Sequence, residues 1–147
     1  MTTFVFLIVF IVFVGLLWLR FAPIDKDNWH VDPAEPMGDQ DLQLIGREAP
    51  RFPGAADEVL AQFDEIALSE PNTRRIEGDL AEGMMTFVSR TKFLGMAEVI
   101  TVKAVSEGEL TKVAIASRPR FSASNRRAAA ERLDRWLQDM RLRLGQG

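Results

Sequence analysis

The sequence has no cysteine, no tyrosine and a single histidine among 147 residues. Without cysteine there is no thiol nucleophile, no disulfide, no thiolate zinc site and no lipid-modified N-terminal cysteine. A lone histidine, His30, cannot make a metal site by itself. No G-x-S-x-G, glycine-rich phosphate loop or H-E-x-x-H occurs to add one. The acid pairs Asp39 with Asp41 and Glu107 with Glu109 stand in linker or turn sequence, and a catalytic dyad needs burial to shift a pKa. The expectation is therefore a non-enzyme without metal or cofactor. Basic excess is also lacking: 18 Lys and Arg stand against 21 Asp and Glu. That balance excludes bulk electrostatic binding to nucleic acid.

What is present begins with residues 4–19, FVFLIVFIVFVGLLWL, sixteen residues without a charge. The run reaches about twenty if Thr2, Thr3, Phe21 and Ala22 join it and Arg20 snorkels. No basic stretch precedes it, and Leu19-Arg20-Phe21-Ala22-Pro23 makes a poor cleavage site, so the reading is an uncleaved transmembrane anchor over residues 1–22. Its anchor residues are Phe4, Phe6, Phe10, Phe13 and Trp18, and its partner is the lipid bilayer. Phe6, Phe10 and Phe13 share one helical stripe, facing lipid tails or a partner helix. Trp18, Phe21 and Trp29 suit a water interface.

Residues 23–53 carry five prolines and many acids, among them Asp25, Asp27, Asp32, Glu35, Asp39 and Asp41. This composition reads as an extended acidic tether, in which Leu42, Leu44 and Ile45 are suited to a short edge strand. His30 within it reads as a solvated or interface-capping side chain.

Residues 54–147 read as a soluble α+β domain. Ala56, Val59, Leu60, Phe63, Ile66 and Ala67 recur at helical spacing, with Asp57 and Glu58 in the first turn where acids suit the helix dipole. Four strand-like segments follow, at 73–79, 84–92, 99–105 and 110–117, separated by hairpin-sized gaps. Alternation in the last two predicts one buried and one wetter face. Ala129, Leu133, Trp136, Leu137, Met140 and Leu144 then form a single stripe over about five helical turns. The expected fold is an N-terminal transmembrane helix followed by a two-layer sandwich, an antiparallel meander of about four strands covered by two helices.

Charge divides along the chain. Residues 20–83 hold fifteen acids and six bases, and residues 84–147 hold six acids and twelve bases. The plainest use of this asymmetry is intramolecular, the acidic tether lying on the basic half; attraction to an anionic surface is the other. The basic half is densest where four arginines approach the last helix. Arg118, Arg120, Ser124, Asn125, Arg126 and Arg127 make a candidate anion- or partner-binding group, with Ser124 suited to cap the helix. Salt bridging to Glu131 or to tether acids is the alternative use of these arginines.

Arg90-Thr91-Lys92-Phe93-Leu94-Gly95, then Ala116-Ser117-Arg118, then Asn125-Arg126-Arg127 opening an amphipathic helix form an ordered set. That order resembles the bacterial and plastid family called domain of unknown function 1499 (DUF1499), over roughly residues 40 to 142. The chain departs from it at Ala97-Glu98, where the family shows paired acids, and at Arg120-Phe121-Ser122-Ala123, where it shows a Gly-x-Ser-Asp stretch. The resemblance implies an α+β domain behind a membrane anchor or lipoprotein signal, with no activity assigned. Together these readings describe a single-pass, non-catalytic binding or scaffold protein of the bacterial inner membrane. An accessory subunit of an integral membrane complex is the first form of it, and an anion or lipid-headgroup module using the arginines is the alternative. Two Lys/Arg soon after the apolar run and none before it favour a cytoplasmic domain, lipoprotein relatives favour the periplasm, and the side stays open.

Overall fold

A computed structural model describes residues 1–21, 29–34, 42–90, 97–119 and 126–145, with the side chains of 19–21, 119 and 126–128 outside the description. Helix α1 spans Thr2–Phe21, with apolar residues at nearly every position. Its side chains from residue 2 to residue 18 are all exposed, so α1 packs on nothing in the described chain.

Among the described residues no helix is long and apolar enough to cross a membrane. This overturns the transmembrane anchor expected over residues 1–22, with Phe4, Phe6, Phe10, Phe13 and Trp18 as its anchor residues. The reason is length. The uninterrupted apolar run within α1 is the sixteen residues 4–19, which rise about 24 Å at ~1.5 Å each, against a hydrocarbon core of about 30 Å.

The domain is an antiparallel sheet with two helices on one face. Its strands are β1 (Leu42–Leu44), β2 (Arg51–Pro53), β3 (Thr73–Asp79), β4 (Met84–Arg90), β5 (Ala97–Glu107) and β6 (Leu110–Pro119). Strands β6, β5, β4 and β3 lie side by side in that order, and β1 and β2 both pair with the far edge of β6. The sheet therefore has six strands where about four were expected. The extra two come from residues 42–53: β1 lies where a short edge strand was expected at Leu42 and Leu44, and β2 falls in sequence expected to be tether. Leu42 and Leu44 pack on the core and Phe52 is wholly buried, so these residues gain burial as well as ladder bonds along β6. Pro53, which has no N–H to give, is tolerated because its strand is an edge.

Helices α2 (Ala56–Ser69) and α3 (Arg126–Leu144) cover one face. Val59, Leu60, Phe63, Ile66 and Ala67 of α2 meet Leu133, Trp136, Leu137 and Met140 of α3 above Met85, Phe87, Ile100, Val102, Val113 and Ile115 of the sheet. Alternation puts those strand residues on one side, and the register aligns them: Ile100 stands opposite Phe87, and Val102 opposite both Met85 and Ile115. The Phe63 ring sits 5.8 Å from Phe87 and 5.7 Å edge-on from Trp136, which locks helix to helix and helix to sheet.

The second face was expected to be wetter, yet Thr86, Val88, Val99, Thr101 and Ala116 on it are buried. Residues 29–34 lie over it as a strap. Trp29 and Ile76 pack on Val88, Ala97 and Val99, closing a second, smaller apolar cluster.

Candidate functional site

The strap holds the densest polar arrangement in the described chain. Its residues follow β5: Trp29 lies by Val99, the Trp29 carbonyl by Thr101 and Asp32 by Lys103, while His30 reaches Thr86 of the neighbouring β4. His30 is held at both ring nitrogens, Nδ1 at 2.6 Å from Thr86 Oγ1 and Nε2 at 2.5 Å from Glu82 Oε2. Thr86 Oγ1 is in turn 3.1 Å from Thr101 Oγ1. Three donors converge on the Trp29 carbonyl: Arg118 Nη2 at 2.6 Å, the Val31 N–H at 3.1 Å and the Thr101 hydroxyl at 3.4 Å. The Arg118 guanidinium also stacks on the Trp29 ring at 4.7 Å. Lys103 donates to Asp32 at 2.8 Å, and this hydrogen bond, with that from the Ala34 N–H, holds the Asp32 carboxyl below its ordinary value.

Local backbone makes room for the imidazole. Gly78 in β3 has φ +91°, and a Cβ there would lie 3.0 Å from His30 Cε1 and 2.0 Å from the Met84 carbonyl oxygen. Only glycine allows that approach. His30 is thus neither solvated nor an interface cap: its side chain is 11% exposed.

Thr86, His30 and Glu82 line up as nucleophile, base and carboxylate do in hydrolases, a grouping not anticipated from the sequence because 52 to 56 residues separate His30 from the other two. Thr86 is wholly buried beneath the ring, so its hydroxyl has no face open to a substrate carbonyl. An open groove of about 500 Å³ lies elsewhere, on the helix layer, lined by Ser69, Glu70, Pro71, Asp134, Arg135 and Asp139 among others. In it Arg135 donates to Glu70 at 2.7 Å, and with Trp136 Nε1 at 3.2 Å it holds the Glu70 carboxyl below its ordinary value. A carboxylate so stabilised is a poor proton donor. Among the described residues no three His, Cys, Asp or Glu side chains group as a metal site.

A second polar network sits beneath α3. Glu98 falls on the helix-covered face of β5, in line with Ile100 and Val102, and is 8% exposed. Arg132 of α3 donates to its Oε2 at 2.8 Å, and the Ser117 hydroxyl donates to its Oε1. Beside it the Thr73 hydroxyl donates to Ser89 Oγ at 3.0 Å. Strand parity was the available signal here, since an acid in register with apolar residues has to be paired.

The arginine group divides. Arg118 lies on the strap face, engaged by Trp29, whereas α3, which Arg126 and Arg127 open, covers the other face. Arg120, Ser124 and Asn125 lie outside the described residues, as do the side chains of Arg126 and Arg127. Trp29, expected at a water interface, is the partner of Arg118 instead. The charge asymmetry meets within the molecule at Asp32–Lys103, Glu70–Arg135 and Glu65–Arg143.

Comparison with protein-family models, with curated proteins and with solved structures returned no match. The resemblance to the DUF1499 family therefore rests only on the residues quoted for it.

Proposed function

We propose that the chain is a non-catalytic binding or scaffold protein that works against a lipid bilayer as an accessory subunit of a larger membrane complex. The observation that carries this reading is α1: apolar around its whole circumference and exposed from residue 2 to residue 18. A helix apolar on all sides is stable in water only with cover on all sides. One protein partner covers a stripe, whereas acyl chains cover the circumference. The association is embedding of the helix in the apolar layer, and no crossing is invoked. A domain whose only histidine is held at both ring nitrogens within the strap supports a binding role over catalysis.

The alternative, an anion or lipid-headgroup module on the arginine group, is not favoured by Arg118, which is already engaged within the chain.

Two measurements test the reading. The full chain is expected to float with phosphatidylcholine vesicles, and a Phe6→Asp/Phe10→Asp/Phe13→Asp variant to stay at the bottom of the gradient. A wild-type chain that stays there as a soluble oligomer refutes the lipid association. Affinity purification of the tagged chain in mild detergent is expected to recover an integral membrane complex in stoichiometric amount, and recovery of the chain alone refutes the accessory role.

A further inference from the structure

The strap site has a proton inventory with two solutions. With His30 neutral, Nε2–H donates to the Glu82 carboxylate while Nδ1 accepts from the Thr86 hydroxyl, which accepts from Thr101. The Trp29 carbonyl then keeps Arg118 and the Val31 N–H as donors. With His30 doubly protonated, Nδ1–H donates to Thr86, the Thr86 hydroxyl turns to Thr101, and the Thr101 hydroxyl turns to the Trp29 carbonyl. No donor is orphaned in either arrangement. The added proton comes from solvent and stays on the ring. Two hydroxyl rotations accommodate it.

The two arrangements differ in how firmly they hold the strap. Protonation turns the Glu82 contact into an ion pair and gives the Trp29 carbonyl its third donor. We propose that residues 29–34 form a proton-linked latch, in which a second proton on His30 tightens the docked strap and its loss loosens it.

The charged groups around the ring are consistent with that direction. Glu82 meets it from the β3–β4 turn, where Asp79 accepts the Glu82 N–H at 2.8 Å. Arg118 of β6 faces the strap with its guanidinium committed to the Trp29 carbonyl and ring. Lys103 of β5 is paired with Asp32, with Lys112 of β6 a weaker influence on the same carboxylate. Helices α2 and α3 lie on the other face of the sheet.

The latch controls reach. Eight peptide steps separate Phe21 from Trp29, a span of at most about 28 Å, whereas 21 steps separate Phe21 from Leu42, at most about 73 Å. Docking of the strap therefore more than halves the distance at which the domain can stand from α1.

The test follows amide hydrogen exchange of Val31 and Ala34 in the full chain in detergent micelles. Rates are normalised for the intrinsic pH dependence and compared at about pH 5.5 and about pH 8, on either side of the ordinary imidazole range. The single histidine makes its imidazole nitrogen spectrum an unambiguous report of protonation. Protection is expected to be about 3- to 10-fold higher at the lower pH in the wild-type chain, the effect of one added hydrogen bond. Glu82→Gln, a change on an exposed turn, is expected to abolish the rise, and Thr101→Val, which leaves the Thr86 hydroxyl without an acceptor once His30 is doubly protonated, to reduce it. Equal protection at both pH values in the wild type, or an undiminished rise in Glu82→Gln, overturns the latch.

Discussion

Replacing Arg132 with methionine isolates the ion pair that ties α3 to the sheet. Glu98 is 8% exposed, and its side chain and that of Arg132 retain only 11% and 18% of their accessible surface. Removing one member of a fully buried pair costs about 3–5 kcal/mol, because the remaining charge has lost its solvent and its partner. Here the Ser117 hydroxyl stays on Glu98 and a little water reaches the carboxylate, so about 2–3 kcal/mol is expected. For a domain of this size that corresponds to a fall in Tm of roughly 10–20 °C. Urea unfolding followed by far-ultraviolet circular dichroism measures it. The double variant Arg132→Met/Glu98→Gln removes the orphaned charge and is expected to recover stability to within about 1 kcal/mol of wild type. A single variant costing under about 0.5 kcal/mol, or a double variant as unstable as the single, refutes the argument that burial of an unpaired carboxylate sets the cost.

Gly78→Ala places a Cβ 2.0 Å from the Met84 carbonyl oxygen at φ +91°, and is expected to destabilise the domain by about 2 kcal/mol or more in urea titrations. Phe63→Ala empties the ring cluster between α2, α3 and β4 and is expected to cost about 3–5 kcal/mol by the same assay. Lys103 beside Asp32 and Arg135 beside Glu70 hold both carboxyls below their ordinary values, so each contributes stability that is complete above about pH 4–4.5 and lost as the pH falls through the lowered folded-state value. Stability is expected to drop below about pH 4, and less steeply in an Asp32→Asn/Glu70→Gln variant. Identical acid profiles for the two chains would show that these pairs are not the groups being titrated. Arg118→Ala is expected to speed hydrogen exchange at Val31 while leaving the exchange of β5 and β6 amides unchanged.

Local pattern carried much of the domain. The stripe from Val59 to Ala67 and the stripe from Leu133 to Met140 became the two faces that meet over the sheet, because a helix of this length has one way to bury such a stripe. The suggestion of an edge strand at Leu42 and Leu44 corresponds to β1, although β2 and its Phe52 were read as linker. Prolines and acids dominate the composition around Phe52, and a three-residue strand has too few positions for alternation to show.

Harder to read were the features joined across the chain. Trp29, His30 and Asp32 sit in sequence that looks solvated, and they are ordered by groups 50 to 90 residues away: Glu82, Thr86, Lys103 and Arg118. The four arginines near the last helix looked like one site because they are close in sequence. Strand parity sends Arg118 to the face opposite Ser117, away from the face that α3 covers. The apolar run at the N-terminus was plain from composition, but its sixteen residues rise only about 24 Å, short of a bilayer core, and among the described residues no helix is long and apolar enough to cross one.

The sequence by itself determined the class of fold, the helix faces and the four long strands, because each depends on periodicity or composition within a short window. Only the tertiary structure decided that the second face of the sheet is covered, that the single histidine is clamped between Thr86 and Glu82, and that Arg118 serves the strap. Those outcomes depend on strand register and on chain crossing from one side of the sheet to the other, and neither is encoded locally.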